Sequence, residues 1–80
     1  PEAGQAALLL SRICRSTSGE SRDNLSQVLG TTIRDVDARD KLLNYLLEVL
    51  TSDGYLIERQ GRYAFRLEWL RVYWQRRFAA

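Results

Sequence analysis

The chain has no histidine and no methionine, and only one cysteine and one proline. Without histidine it lacks the commonest general base and the commonest metal ligand. A lone Cys14 excludes an internal disulfide and a cysteine-based zinc site. No apolar run approaches the ~20 residues that a membrane span requires. No signal peptide is visible, so the single thiol points to a reducing, cytoplasmic setting and no membrane partner. A glycine-rich phosphate loop is also missing, as is any pair of carboxylates on one expected face. No reaction class can be assembled from what remains. The expectation is therefore a non-catalytic chain with no cofactor and no metal. It begins at Pro1 without an initiator Met, and Glu2 to Ala7 read as the continuation of an earlier segment. That is the look of one domain cut from a larger protein.

What is present is enough for one core. Of the 80 residues, 45% are hydrophobic and 28% charged, which lies well outside the disordered range. At this length a fold buries roughly 60–65% of the surface its unfolded chain exposes, so residues 1–80 make a single domain. The charge is uneven. Residues 1–53 hold six basic and eight acidic side chains, a balance of −2, while residues 54–80 hold six Arg against Glu58 and Glu68, a balance of +4. A basic end suits nucleic acid or an anionic partner, or a solvated helix face.

Periodicity divides the chain. Ala6, Leu9, Leu10, Ile13 and Cys14 make one apolar stripe on a helix over about 4–16. Small polar residues with Gly19 then break it. Ser21 is placed to cap a short second helix carrying Leu25, Val28 and Leu29, with Gly30 as a left-handed cap at its end. Asp35 or Asp37 opens a third helix to Ser52. Ala38, Leu42, Tyr45, Leu46 and Val49 share its apolar face, and Leu43, Leu47 and Leu50 widen it. Gly54 ends it at positive φ. Tyr55–Arg59 and Arg62–Leu67 read as two strands about a Gln60-Gly61 turn. A last helix spans about 68–79. Leu70, Trp74 and Phe78 are expected to complete the core, with Arg71, Gln75 and Arg76 opposite. Five of the eight aromatic residues fall between positions 65 and 78.

Three helices, a hairpin and a final helix predict an α+β winged helix. The second and third helices form the helix-turn-helix unit, a two-stranded hairpin is the wing, and the hairpin buries its face only against the helices. The stretches Asp53-Gly54-Tyr55-Leu56, Gly61-Arg62-Tyr63-Ala64-Phe65-Arg66 and Leu70-Arg71-Val72-Tyr73-Trp74-Gln75-Arg76-Arg77-Phe78 resemble the C-terminal winged-helix segment of prokaryotic P-loop ATPases, similar to the AAA+ and STAND classes. The resemblance covers residues 42–78 and runs through core and turn positions. Ala64 and Glu68 depart from the family pattern. It implies an interaction and regulatory module, with any ATP hydrolysis in a preceding domain. The implied partner is the ATPase core of the same polypeptide or of a neighbouring subunit.

Two surfaces follow. On the last helix, Trp69, Tyr73, Arg76 and Arg77 are the candidate partner-binding residues, because aromatics and arginine dominate interface energetics. The alternative is a DNA-binding winged helix, with Arg39, Lys41 and Asn44 of the third helix near bases and Arg59, Arg62 and Arg66 on phosphates. Asp35, Asp37 and Asp40 argue against it, since three carboxylates at the groove-facing end would repel the backbone. Arg59 and Arg62 directly oppose each other across the hairpin, a like-charge pair that costs stability unless something binds it.

Overall fold

The computed structural model describes residues 2–79; Pro1 and Ala80, the ends of the expected domain, lie outside them. The elements run α1 (Glu2–Ile13), β1 (Glu20–Ser21), α2 (Arg22–Leu29), α3 (Val36–Ser52), β2 (Leu56–Arg59), β3 (Arg62–Phe65) and α4 (Glu68–Trp74). A π-helical turn, Gln75–Ala79, extends α4. The fold is α+β: four helices and one antiparallel sheet in the order β1-β3-β2.

Local chemistry sets most boundaries. Ser21 caps α2, its hydroxyl accepting the Asn24 N–H at 3.2 Å. Of the two candidate caps for α3, Asp35 serves, its carboxylate accepting the Ala38 N–H at 3.3 Å. Gly54, at φ 86°, closes α3 in a Schellman arrangement: the Gly54 N–H reaches Thr51 O at 3.1 Å and the Tyr55 N–H reaches Leu50 O at 3.0 Å, satisfying two orphan carbonyls. The hairpin turn has both Gln60 and Gly61 at positive φ, the combination that matches strand twist in a two-residue loop. Register pairs Leu56 with Phe65 and Arg59 with Arg62.

Gly30 is not the left-handed cap expected. It stays helical at φ −62°, and the threonines after it do the capping. The Thr31 and Thr32 hydroxyls donate to Val28 O and Leu29 O at 2.8 and 3.3 Å. A Cβ at position 30 would lie 2.6 Å from Arg39 Nη1, the movable end of a long side chain, and 3.2 Å from Gln27 O.

The expected two-stranded wing is a three-stranded sheet. Glu20, read as the end of a polar break, and Ser21, read only as a helix cap, pair with Tyr63 and Arg62 of β3. Gly19, at φ 88°, permits the approach; a Cβ there would meet Tyr63 O at 2.5 Å. Glu20 is buried to 9% exposure with its charge partnered, by Arg12 at 3.4 Å and the Asn24 amide at 3.1 Å.

The core joins Leu9, Leu10, Ile13 and Cys14 of α1 and the residue after it to Leu25 and Leu29 of α2. Leu43, Leu46, Leu47 and Leu50 of α3 and Leu56 and Phe65 of the hairpin complete it. The α1 stripe is the one the spacing predicts. On α3 the buried line is 43-46-47-50, with Ala38 and Tyr45 exposed. Two overlapping stripes were available, and packing against α2 and β2 selects the one centred on Leu43 and Leu47. From α4, Leu70 and Trp74 pack partly against this core.

Candidate interaction surfaces

The end of the chain departs most from expectation. Arg71, placed by periodicity on the polar face, turns inward. Its Nη1 donates to Cys14 O at 2.8 Å, while Nε and Nη2 grip both oxygens of Glu68 at 2.8 and 2.6 Å. The end of α1 leaves carbonyls without helical partners, and Arg71 supplies one of them with a donor. The paired hydrogen bonds hold the Glu68 carboxyl below its ordinary range and push the Arg71 guanidinium up. Trp74 closes the same end of the core, its indole N–H donating to Ser11 Oγ at 3.2 Å.

Phe78 does not complete the core. The α-helix gives way at Gln75 to a π turn, whose wider i→i+5 spacing rotates the last residues relative to α-helical geometry. Phe78 packs on the outside of Trp74, ring centroids 4.5 Å apart, with the Arg77 guanidinium 5.9 Å from its own centroid. Trp69, Tyr73 and Phe78 are 67%, 51% and 55% exposed. With Val72, Arg76 and Arg77 they line one open groove of about 710 Å³. The four residues the sequence singles out here, Trp69, Tyr73, Arg76 and Arg77, are thus brought together. Spacing of i, i+3, i+4, i+7 from Trp69 would have added Val72. Nothing in the sequence marks Phe78, because only the π turn moves it to this side.

The six residues of the duplex-binding alternative divide into two groups. Arg59, Arg62 and Arg66 share the outer face of the sheet, with Ile57 and Ala64, in a cleft of about 210 Å³. Arg39, Lys41 and Asn44 do not form one surface. Arg39 folds back against the α2–α3 turn, Nη1 donating to Ile33 O at 3.4 Å. The Asn44 side chain accepts from Arg22, which also lies 3.9 Å from Asp40. Lys41 is exposed. The groove of about 610 Å³ between α3 and the hairpin is lined by Asn44, Glu48, Glu58 and Tyr63 among others, with no Lys or Arg. The negative charge beside α3 is therefore greater than Asp35, Asp37 and Asp40 alone imply.

Among the described residues, no helix is long and apolar enough to cross a membrane. Fold and surface together define a small α+β domain with an exposed aromatic and arginine face on its last helix. Comparison with protein-family models, curated proteins and solved structures gives no match to this chain.

Proposed function

We propose that the chain is a non-catalytic winged-helix module of the cytoplasm. It lies C-terminal to a P-loop ATPase domain and docks on that core, or on a neighbouring subunit, through the outer face of α4. The observation that carries the reading is three aromatic rings, each more than half exposed, set beside Arg76 and Arg77 on one helix face. Neither arginine has an ion-pair partner among the described residues. Such rings anchor interfaces once a partner excludes water from them, and the two guanidinia favour a partner with acidic groups at its rim. The winged-helix reading is supported by the order α1-β1-α2-α3-β2-β3, with β1 seated beside β3 and the hairpin following directly on α3. Docking would let the module's position report the nucleotide state of the core.

The test is a pull-down and cross-linking comparison of the parent polypeptide with a Trp69→Ser/Tyr73→Ser variant. Contact between module and core that the variant loses is the expected result; absence of contact in the unaltered protein sinks the reading.

A second reading, duplex DNA binding, has one observation in its favour: Arg59, Arg62 and Arg66 do share a face. A binder neutralising several phosphates loses ~10³-fold or more in affinity between 50 and 200 mM salt. A flat response, or no binding at low salt, removes that reading.

A further inference from the structure

The arginine cleft on the sheet shares no lining residue with the α4 groove. Its geometry is that of a built anion site. Two of its three arginines are held by backbone carbonyls. Arg62 donates to Gly19 O at 2.6 Å and to Ser18 O at 3.4 Å, and Arg66 donates to Gly54 O at 3.1 Å. Arg59, directly across from Arg62, has no hydrogen-bond or ion-pair partner among the described residues. Carbonyl contacts orient a guanidinium without neutralising it, so the three positive charges remain. Glu68 is the one acid at the cleft's edge among the described residues, and both of its oxygens are taken by Arg71. Thr17 and Ser18 line the opposite wall, where the Ser18 hydroxyl shares a hydrogen bond with Ser16 Oγ at 3.1 Å and Gly19 approaches β3 closely. Guanidinia pre-set in orientation and an unrelieved like-charge pair are what an oxyanion requires and relieves.

We propose that this cleft binds a phosphate monoester dianion. Three guanidinia balance two charges on one phosphoryl group better than the single charge of a diester. At about 210 Å³ the cleft takes one headgroup rather than a length of backbone. A duplex that wrapped the hairpin from this cleft to reach α3 would meet Glu48 and Glu58 on the opposite face. A phosphorylated side chain and a nucleoside monophosphate carry the same headgroup.

The experiment is an NMR titration of the full chain with phenyl phosphate at low salt, following the arginine Nε–H and the Thr17 and Ser18 amide signals. The Arg59, Arg62 and Arg66 signals should shift together. Affinity should fall about tenfold in Arg59→Gln, the loss of one charge-assisted contact. The Arg59 side chain is exposed and has no hydrogen-bond or ion-pair partner among the described residues, so this variant keeps the fold, which its amide spectrum verifies. Binding should also weaken as pH falls through ~6, where the monoester loses its second charge. Phosphoserine and adenosine 5′-monophosphate form two further arms; the tighter identifies the carrier, and equal affinity makes the headgroup alone the ligand. The proposal is overturned by any of three results: no shift with phenyl phosphate, equal binding of dimethyl phosphate, or a duplex that binds the same signals more tightly than the monoester. Unchanged affinity in Arg59→Gln overturns it as well.

Discussion

Cys14 stands where α1 meets the last helix, and its two polar groups are both engaged. The thiol donates to Ser11 O at 3.1 Å, and the carbonyl accepts from Arg71. The side chain is fully buried. Burial pushes the thiol up, against the smaller opposing pull of Arg15 and Arg71. A folded-state value above the unfolded one means that the folded chain holds the proton longer. Stability from this group is complete below the unfolded value of about 8.5 and is lost as pH rises above it. Urea unfolding should therefore show stability declining as pH rises above about 8.5, with a shallower decline in Cys14→Ala. A thiol reagent at pH 8 should label the native protein only at the rate of unfolding. Gly19 makes a second residue-scale case. At φ 88° and 2.5 Å from Tyr63 O, an alanine there meets both the left-handed penalty and a backbone clash. Gly19→Ala should lose at least about 2 kcal/mol in the same assay and should shift the β1 amide signals, whereas Gly61→Ala, with nothing near its Cβ, meets only the first.

Among the elements, the hairpin is the plainest place to add stability. Gln60 sits at φ 54° ahead of Gly61 at φ 79°, and a type I′ turn prefers Asn at that first position. Gln60→Asn should raise the unfolding midpoint by an amount equivalent to about 0.5 kcal/mol, read by thermal melt against the parent chain. That turn was legible in the sequence because its signal is local, and so were the Ser21 cap, the Gly54 stop and the α1 stripe, while the cap of α3 was narrowed only to Asp35 or Asp37. The features that were not legible depend on distant partners. Two residues of β1 carry no periodicity, and they become a strand only because β3 lies beside them. Arg71 reads as polar surface until the end of α1 supplies Cys14 O. Phe78 falls on the core face of any regular α-helix and leaves it only where the π turn begins. The candidate site divides in the same way. Trp69, Tyr73, Arg76 and Arg77 follow from helical spacing, while Phe78 depends on the irregular end. On the sheet, alternation puts Arg62 and Arg66 on one face, but Thr17 and Ser18 reach them only across the Gly19 contact. Arg39 looks like a groove-facing residue in sequence and is drawn aside by Ile33 O.

Across the whole molecule the aromatic residues of the last segment divide into two groups with opposite consequences for stability. Phe65 and Trp74 face inward, with ring centroids 6.4 Å apart and the indole bonded to Ser11. Trp69 and Tyr73 face out. The charge is divided too, acidic in the groove between α3 and the hairpin and basic along α4 and the sheet face. A partner drawn by arginine therefore meets α4 without crossing acidic surface. If the outward rings served the fold, replacing them would weaken it. If they serve a partner, the isolated chain should not register their loss. Trp74→Ala should cost about 3 kcal/mol by removing a packed ring. Trp69→Ser/Tyr73→Ser should stay within about 0.5 kcal/mol of the parent. Acrylamide should quench Trp69 strongly in the native Trp74→Phe variant, whose only remaining indole is the exposed one, and a docked partner should shield it. Equal destabilisation by both changes would assign the whole aromatic end to the core and leave α4 no surface with which to dock.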